Sequence, residues 1–115
     1  MSVDLLLKRD NLIKQLNTKL TEHAQHGYTA AVADRDYKIA KAKMMVKIRA
    51  DGVPWTATDA LARGDEEVAN LAFERDSNNV LSQSALEASY VLRLVLKANE
   101  EDIKFDQRRD NGGNA

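Results

Sequence analysis

Cysteine is missing from the chain, which removes disulfides, thiolate nucleophiles and thiolate-held zinc. A cysteine-free protein suits a reducing compartment, and the expected location is cytoplasmic. Proline occurs once and glycine five times in 115 residues, so long stretches carry no helix breaker. Aromatics make up only 5% and alanine takes much of the apolar share, which predicts a thin core of small and aliphatic groups. No apolar run approaches the ~20 residues that a bilayer span needs. Leu5-Leu6-Leu7 passes at once into Lys8, Arg9 and Asp10, so no signal peptide is expected. Seventeen basic and 18 acidic side chains leave a net charge of −1, with no general field to hold the protein on nucleic acid or anionic lipid.

What is present is helical. From Val3 to Ala50 there is no proline and one glycine, and apolar residues recur at three and four at Leu6, Ile13, Leu16 and Leu20, then Ala30, Tyr37, Met44 and Ile48. Arg9, Asp34 and Lys41 interrupt that stripe, so it does not read as a clean heptad. Gly27 weakens the helix by ~1 kcal/mol relative to alanine, but no cap or proline accompanies it, and the helix is expected to continue through it. A second run from Asp65 to Gln107 carries Val68, Leu71, Ala72, Leu81, Ala85, Ala88, Leu92, Val95, Leu96 and Ile103, with a small, polar centre.

Residues 51–64 lie between the two runs. Gly52 suits the left-handed position after a helix end and Pro54 cannot continue the helix. Thr56 to Asp59 fits a capping pattern ahead of a short helical turn over Asp59 to Arg63, and Asp65 is the natural N-cap of the second long helix. The predicted fold is therefore all-α: a long antiparallel, coiled-coil-like helical hairpin (helix about 3–50, turn 51–64, helix about 65–107) with a short helical turn at its tip. Residues 1–107 form one domain, and 108–115 read as a disordered tail.

Folding back about the turn sets residue i near residue 115 minus i. Gly27, Ala30, Ala31 and Ala33 then meet Ser82, Ser84, Ala85 and Ala88, and Ile13, Leu16 and Leu20 meet Val95, Leu96 and Ile103. A second apolar rim is left over: Leu5, Leu12, Tyr28 and Met45 on one helix, and Phe73, Val80, Tyr90, Val91 and Leu94 on the other. Two helices of that length bury one stripe each, so a homodimer forming a four-helix bundle, or docking on another protein, is expected.

Chemistry is sparse. Glu22, His23 and His26 lack the further ligands of a metal site, and surface histidines are the simpler expectation. Asp34 and Asp36 beside Arg35 and Tyr37 have no recognisable pocket for acid–base work and read as a solvated helix face. No catalytic, cofactor-binding or metal-binding residue is assigned, and the protein is expected not to be an enzyme. Arg63-Gly64-Asp65 spells an adhesion tripeptide, but each residue has a local role at a helix boundary. The expected partner surface is the tip: Val53, Trp55, Leu61 and Arg63. Trp55 either plugs the end of the bundle, which is favoured, or is presented as an anchor for a protein partner. As the alternative, Lys38, Lys41, Lys43, Lys47 and Arg49 form a stripe for phosphate contacts with DNA, weakened by the acids predicted across the hairpin.

The block Lys47-Ile48-Arg49-Ala50-Asp51-Gly52-Val53-Pro54, then Leu61-Ala62-Arg63-Gly64-Asp65-Glu66-Glu67-Val68-Ala69 and Phe73-Glu74-Arg75-Asp76, resembles a family of small, uncharacterised helical proteins encoded by phages and prophages of Gram-positive bacteria. The resemblance covers roughly residues 35 to 100 and is strongest at the turn. It implies a phage-encoded accessory protein from a region of early genes near replication and recombination functions, and it carries over no catalytic residue. Small secreted hairpins with Trp-x-Gly in the turn share the layout, but Thr56-Ala57 follows Trp55 here and the motif is absent.

Overall fold

The computed structural model describes residues 3–113, and all three of its elements are helices: α1 Val3–Ala50, α2 Trp55–Arg63 and α3 Glu66–Gly113. The helical hairpin expected from the sequence is the observed fold. α1 passes through Gly27 unbroken. It ends where the amides of Asp51 and Gly52 donate back to the carbonyls of Ile48 and Arg49, and Gly52 takes φ +89°, a conformation that costs any residue with a Cβ. Asp65 caps α3, its Oδ2 accepting from the Val68 amide at 3.3 Å.

Two boundaries differ from the sequence expectation. α2 starts at Trp55, so Thr56 to Asp59 lie inside the helix. Pro54 is the residue before it, and its carbonyl receives both the Ala57 amide and the Thr58 hydroxyl. Proline's fixed φ presets the helical start without a side-chain cap. At the other end α3 runs through 108–113, where a tail was expected after Gln107. Gln107, Arg108 and Arg109 are good helix formers, and Arg109 pairs with Asp106 one turn back. Asn114 and Ala115 lie outside the described residues.

The chain divides into two compact units, Ala24–Ser82 and the two flanking segments, described here as 3–23 with 83–113. In Ala24–Ser82 the residues turned away from solvent include a line of Ala30, Ala33, Tyr37, Ala40 and Met44 on α1 and one of Val68, Leu71, Arg75, Asn78 and Ser82 on α3, with Thr58 and Ala62 of α2 fully buried. In the other unit they are Leu12 and Leu16 on α1 and Ala85, Ser89, Leu92, Leu96, Asn99 and Ile103 on α3. Within each set the spacing alternates strictly between three and four. The seam is thus a heptad seam, contrary to the sequence expectation, because several of its positions hold Arg, Asn or Ser and do not register as hydrophobic.

The phase shifts accordingly. Leu12 is buried where the second rim was expected, while Ile13, Leu81 and Val95, assigned to the seam, are 39%, 49% and 38% exposed. Tyr28, Phe73, Val80, Tyr90, Val91 and Leu94 do stand exposed, as a second rim requires, but Leu5 and Met45 are half-buried.

The register also differs from i opposite 115 minus i. In Ala24–Ser82, Arg75 reaches Asp34 and Ser82 faces Gly27; in the other unit, Asn99 Nδ2 donates to the carbonyl of Leu5. Each partner on α3 lies several residues earlier than the symmetric fold-back places it. In Ala24–Ser82 the cause is α2, nine residues long, which pairs Asp59 with Lys41 and so occupies α1 surface that the symmetric register assigned to the start of α3.

At Gly27 an added Cβ would lie 3.4 Å from Ser82 Oγ, an ordinary contact. Gly27→Ala is therefore expected to raise stability by about 0.5–1 kcal/mol in chemical denaturation through helix propensity. Gly52→Ala, forced into positive φ, is expected to lower it by about 1–2 kcal/mol in the same measurement.

Candidate functional site

The candidate surface lies inside Ala24–Ser82, where the last turns of α1 meet α2. α1 presents Ala42, Met45, Val46 and Arg49 at three-and-four spacing, and the chain reverses at Gly52 so that Trp55 opens α2 beside them. Together these five residues line a hollow of about 380 Å³. The Arg49 guanidinium lies 4.5 Å from the centre of the Trp55 ring, and its Nη1 donates to the Val53 carbonyl at 2.9 Å. A cation stacked on indole in this way contributes ~0.5–1 kcal/mol at an exposed site and holds both side chains in place.

Trp55 is 65% exposed, so it does not plug the hairpin end as the sequence favoured. Thr58 and Ala62 fill that space with small side chains, leaving no room for an indole. The other tip residues do not converge on it. Leu61 and Arg63 fall on opposite flanks of the buried Thr58–Ala62 line, and Arg63 is held by Asp59 at 2.8 Å. Val53 contributes its carbonyl to Arg49. Ala42 and Val46 were not singled out from the sequence; the signal available was their heptad offset from the seam, on the outer face of α1.

The basic stripe is not assembled as a phosphate site. Lys38 pairs with Asp34 at 2.8 Å, Lys41 pairs with Asp59 and lies over the Tyr37 ring, and Arg49 is engaged as described. Lys43 and Lys47 line a separate hollow with Asp36, Asp65 and Glu67, where cations and carboxylates are mixed.

Asp34 and Asp36 are accounted for structurally. The hydrogen bond from Lys38, with further help from Arg75, holds the Asp34 carboxyl below its ordinary value of 3.8. Lys41 does the same for Asp59, aided by Arg63, and Asp59 in turn raises Lys41. Asp36 accepts from Arg35 at 3.1 Å. His23 and His26 are half-buried rather than on the open surface. Asn78 Nδ2 donates to the Glu74 carbonyl, which leaves Asn78 Oδ1 to accept from His26 Nδ1 at 3.2 Å. Among the described residues, no group of three or more His, Cys, Asp or Glu side chains is placed to hold a metal. No helix among them is long and apolar enough to cross a membrane.

Compared with protein-family models, curated proteins and solved structures, the chain matches none of them.

Because both carboxyls titrate below their ordinary value, their ion pairs contribute stability that is complete above 3.8 and is lost as pH falls through the lower folded values. The double variant Asp34→Asn/Asp59→Asn is expected to melt below the wild type at neutral pH, with the gap closing on acidification below 3.8. Melting curves across pH check this; a gap that stays constant would contradict it.

Proposed function

We propose that this is a non-enzymatic, cytoplasmic helical-hairpin protein of phage or prophage type, acting through protein–protein contact and associating as a homodimer in a four-helix bundle. The observation that carries this is the placement of large apolar groups. Trp55, Val46, Phe73, Val80, Leu94 and Phe105 are each at least 65% exposed, while the seam interleaves its Leu, Val and Ile with Ala, Ser, Asn and Arg.

Tryptophan and arginine beside an apolar hollow are the side chains most enriched among binding anchors, which favours the Arg49–Trp55 face as the contact surface. The accessory DNA-binding alternative has less support, since Lys38 and Lys41 already have carboxylate partners. The phage assignment rests on the resemblance of the turn block alone.

Light scattering is expected to give twice the 12.8 kDa chain mass at micromolar protein. Trp55→Ala is expected to leave the helical circular dichroism signal unchanged while weakening association by about tenfold or more, the loss typical of an interface anchor. A monomer at all accessible concentrations would overturn the dimer.

A further inference from the structure

Two exposed stripes on different helices have the same spacing and opposite end charges. On the outer face of α1, within Ala24–Ser82, stand Arg35, Ile39, Ala42, Val46 and Arg49, separated by four, three, four and three residues. On the outer face of α3, within the other unit, stand Glu87, Val91, Leu94, Ala98 and Glu101, with the same intervals. All ten residues are exposed. One stripe is an apolar triplet bracketed by two arginines, the other an apolar triplet bracketed by two glutamates.

We propose that the α1 stripe of one copy packs alongside the α3 stripe of a second copy, so that the hollow beside Trp55 is filled by the partner's helix. This rests on the dimer reading above and names its interface. Each stripe follows the c and f positions of the heptads whose a and d positions form the internal seam. Helices matched c to c and f to f run parallel, as do neighbours in a parallel coiled coil. That alignment sets Arg35 against Glu87, Ile39 against Val91, Ala42 against Leu94, Val46 against Ala98 and Arg49 against Glu101. Small meets large at two of the three apolar layers, Ala42 with Leu94 and Val46 with Ala98, so the triplets interdigitate.

The surroundings agree. One heptad beyond Ala98, Phe105 is 66% exposed, and the same alignment carries it past the end of α1 at Ala50, toward the turn that leads into Trp55. Along the flanks Lys43 meets Tyr90 and Lys38 meets Val95, with no like charges opposed. The four bracketing side chains have local partners: Arg35 bonds Asp36, Arg49 bonds the Val53 carbonyl and stacks on Trp55, Glu87 accepts from Gln83, and Glu101 lies 3.7 Å from Lys104. Exposed contacts of this kind are weak and exchange readily for a partner's carboxylate or guanidinium. Each copy carries one stripe of either sign, so any two copies offer the contact in both senses.

The test exchanges the brackets. Arg35→Glu/Arg49→Glu makes both stripes acidic, and Glu87→Arg/Glu101→Arg makes both basic. Each variant alone is expected to keep the wild-type circular dichroism spectrum and run as a monomer where the wild type is a dimer, its dissociation constant raised by about tenfold or more. An equimolar mixture is expected to recover the dimer mass, because the acidic α1 of one variant then meets the basic α3 of the other, and the reverse. The four substitutions in one chain are expected to recover it as well. If the wild type is dimeric but neither reversal weakens it, or the mixture stays monomeric, this interface is wrong while the dimer stands. A monomeric wild type overturns both, and a mass above the dimer overturns the closed pair.

Discussion

Arg75 sits at a seam position of α3 where a hydrophobic residue would be expected, and the packing of Ala24–Ser82 turns on it. Its guanidinium reaches Asp34 of α1 at 3.4 Å and Asp76 of its own helix at 2.9 Å, and lies 4.6 Å from the centre of the Tyr37 ring. Lys41 takes another approach to that ring and pairs with Asp59, which also binds Arg63. Three helices are therefore joined through one aromatic ring and a chain of alternating charges. The Arg75 side chain is three-quarters buried, so the arrangement gains less in net stability than its contacts suggest, since desolvation offsets much of the attraction. Its clearest consequence is selection: a slide of α3 along α1 would leave Asp76 on the guanidinium but take away Asp34 and the Tyr37 ring.

Asn99 plays a comparable part in its own unit. It is 1% exposed, its amide donates to the Leu5 carbonyl, and its Oδ1 has no partner. An unsatisfied buried acceptor costs about 1–3 kcal/mol, and a hydrophobic residue at this position would avoid that cost. A single polar residue in a heptad seam is the best-attested device for setting register and orientation at the expense of stability.

These features explain what could be read from the sequence and what could not. Helix identity was legible because Pro54, Gly52 and Asp65 are the local signals that end and begin helices, and nothing between them competes. Seam phase was not legible, because hydrophobic periodicity follows the largest apolar residues, and here Leu81, Val95 and Ile13 lie off the seam while Arg75, Asn78, Ser82 and Ser89 lie on it. The register depended on how much of α1 the turn itself covers, and the extent of α2 was underestimated by four residues because a proline start leaves no side-chain cap to find. Trp55 was picked out for its rarity, but its exposure follows from Thr58 and Ala62 filling the hairpin end, which only the packing reveals.

A seam chosen for selectivity has a consequence for the outside of the molecule. With alanine, serine and asparagine at several seam positions, further apolar area stands on the c and f positions, where Phe73, Val80, Val91, Leu94 and Phe105 are in water. Such a surface invites promiscuous association unless something restricts it. In the proposed pair, bracketing each apolar triplet with charges of one sign would supply that restriction, since a stripe ended by arginines repels its own kind and favours a stripe ended by acids. Polar residues thus set specificity twice, inside by the cost of burying them unpaired and outside by the cost of opposing like charges.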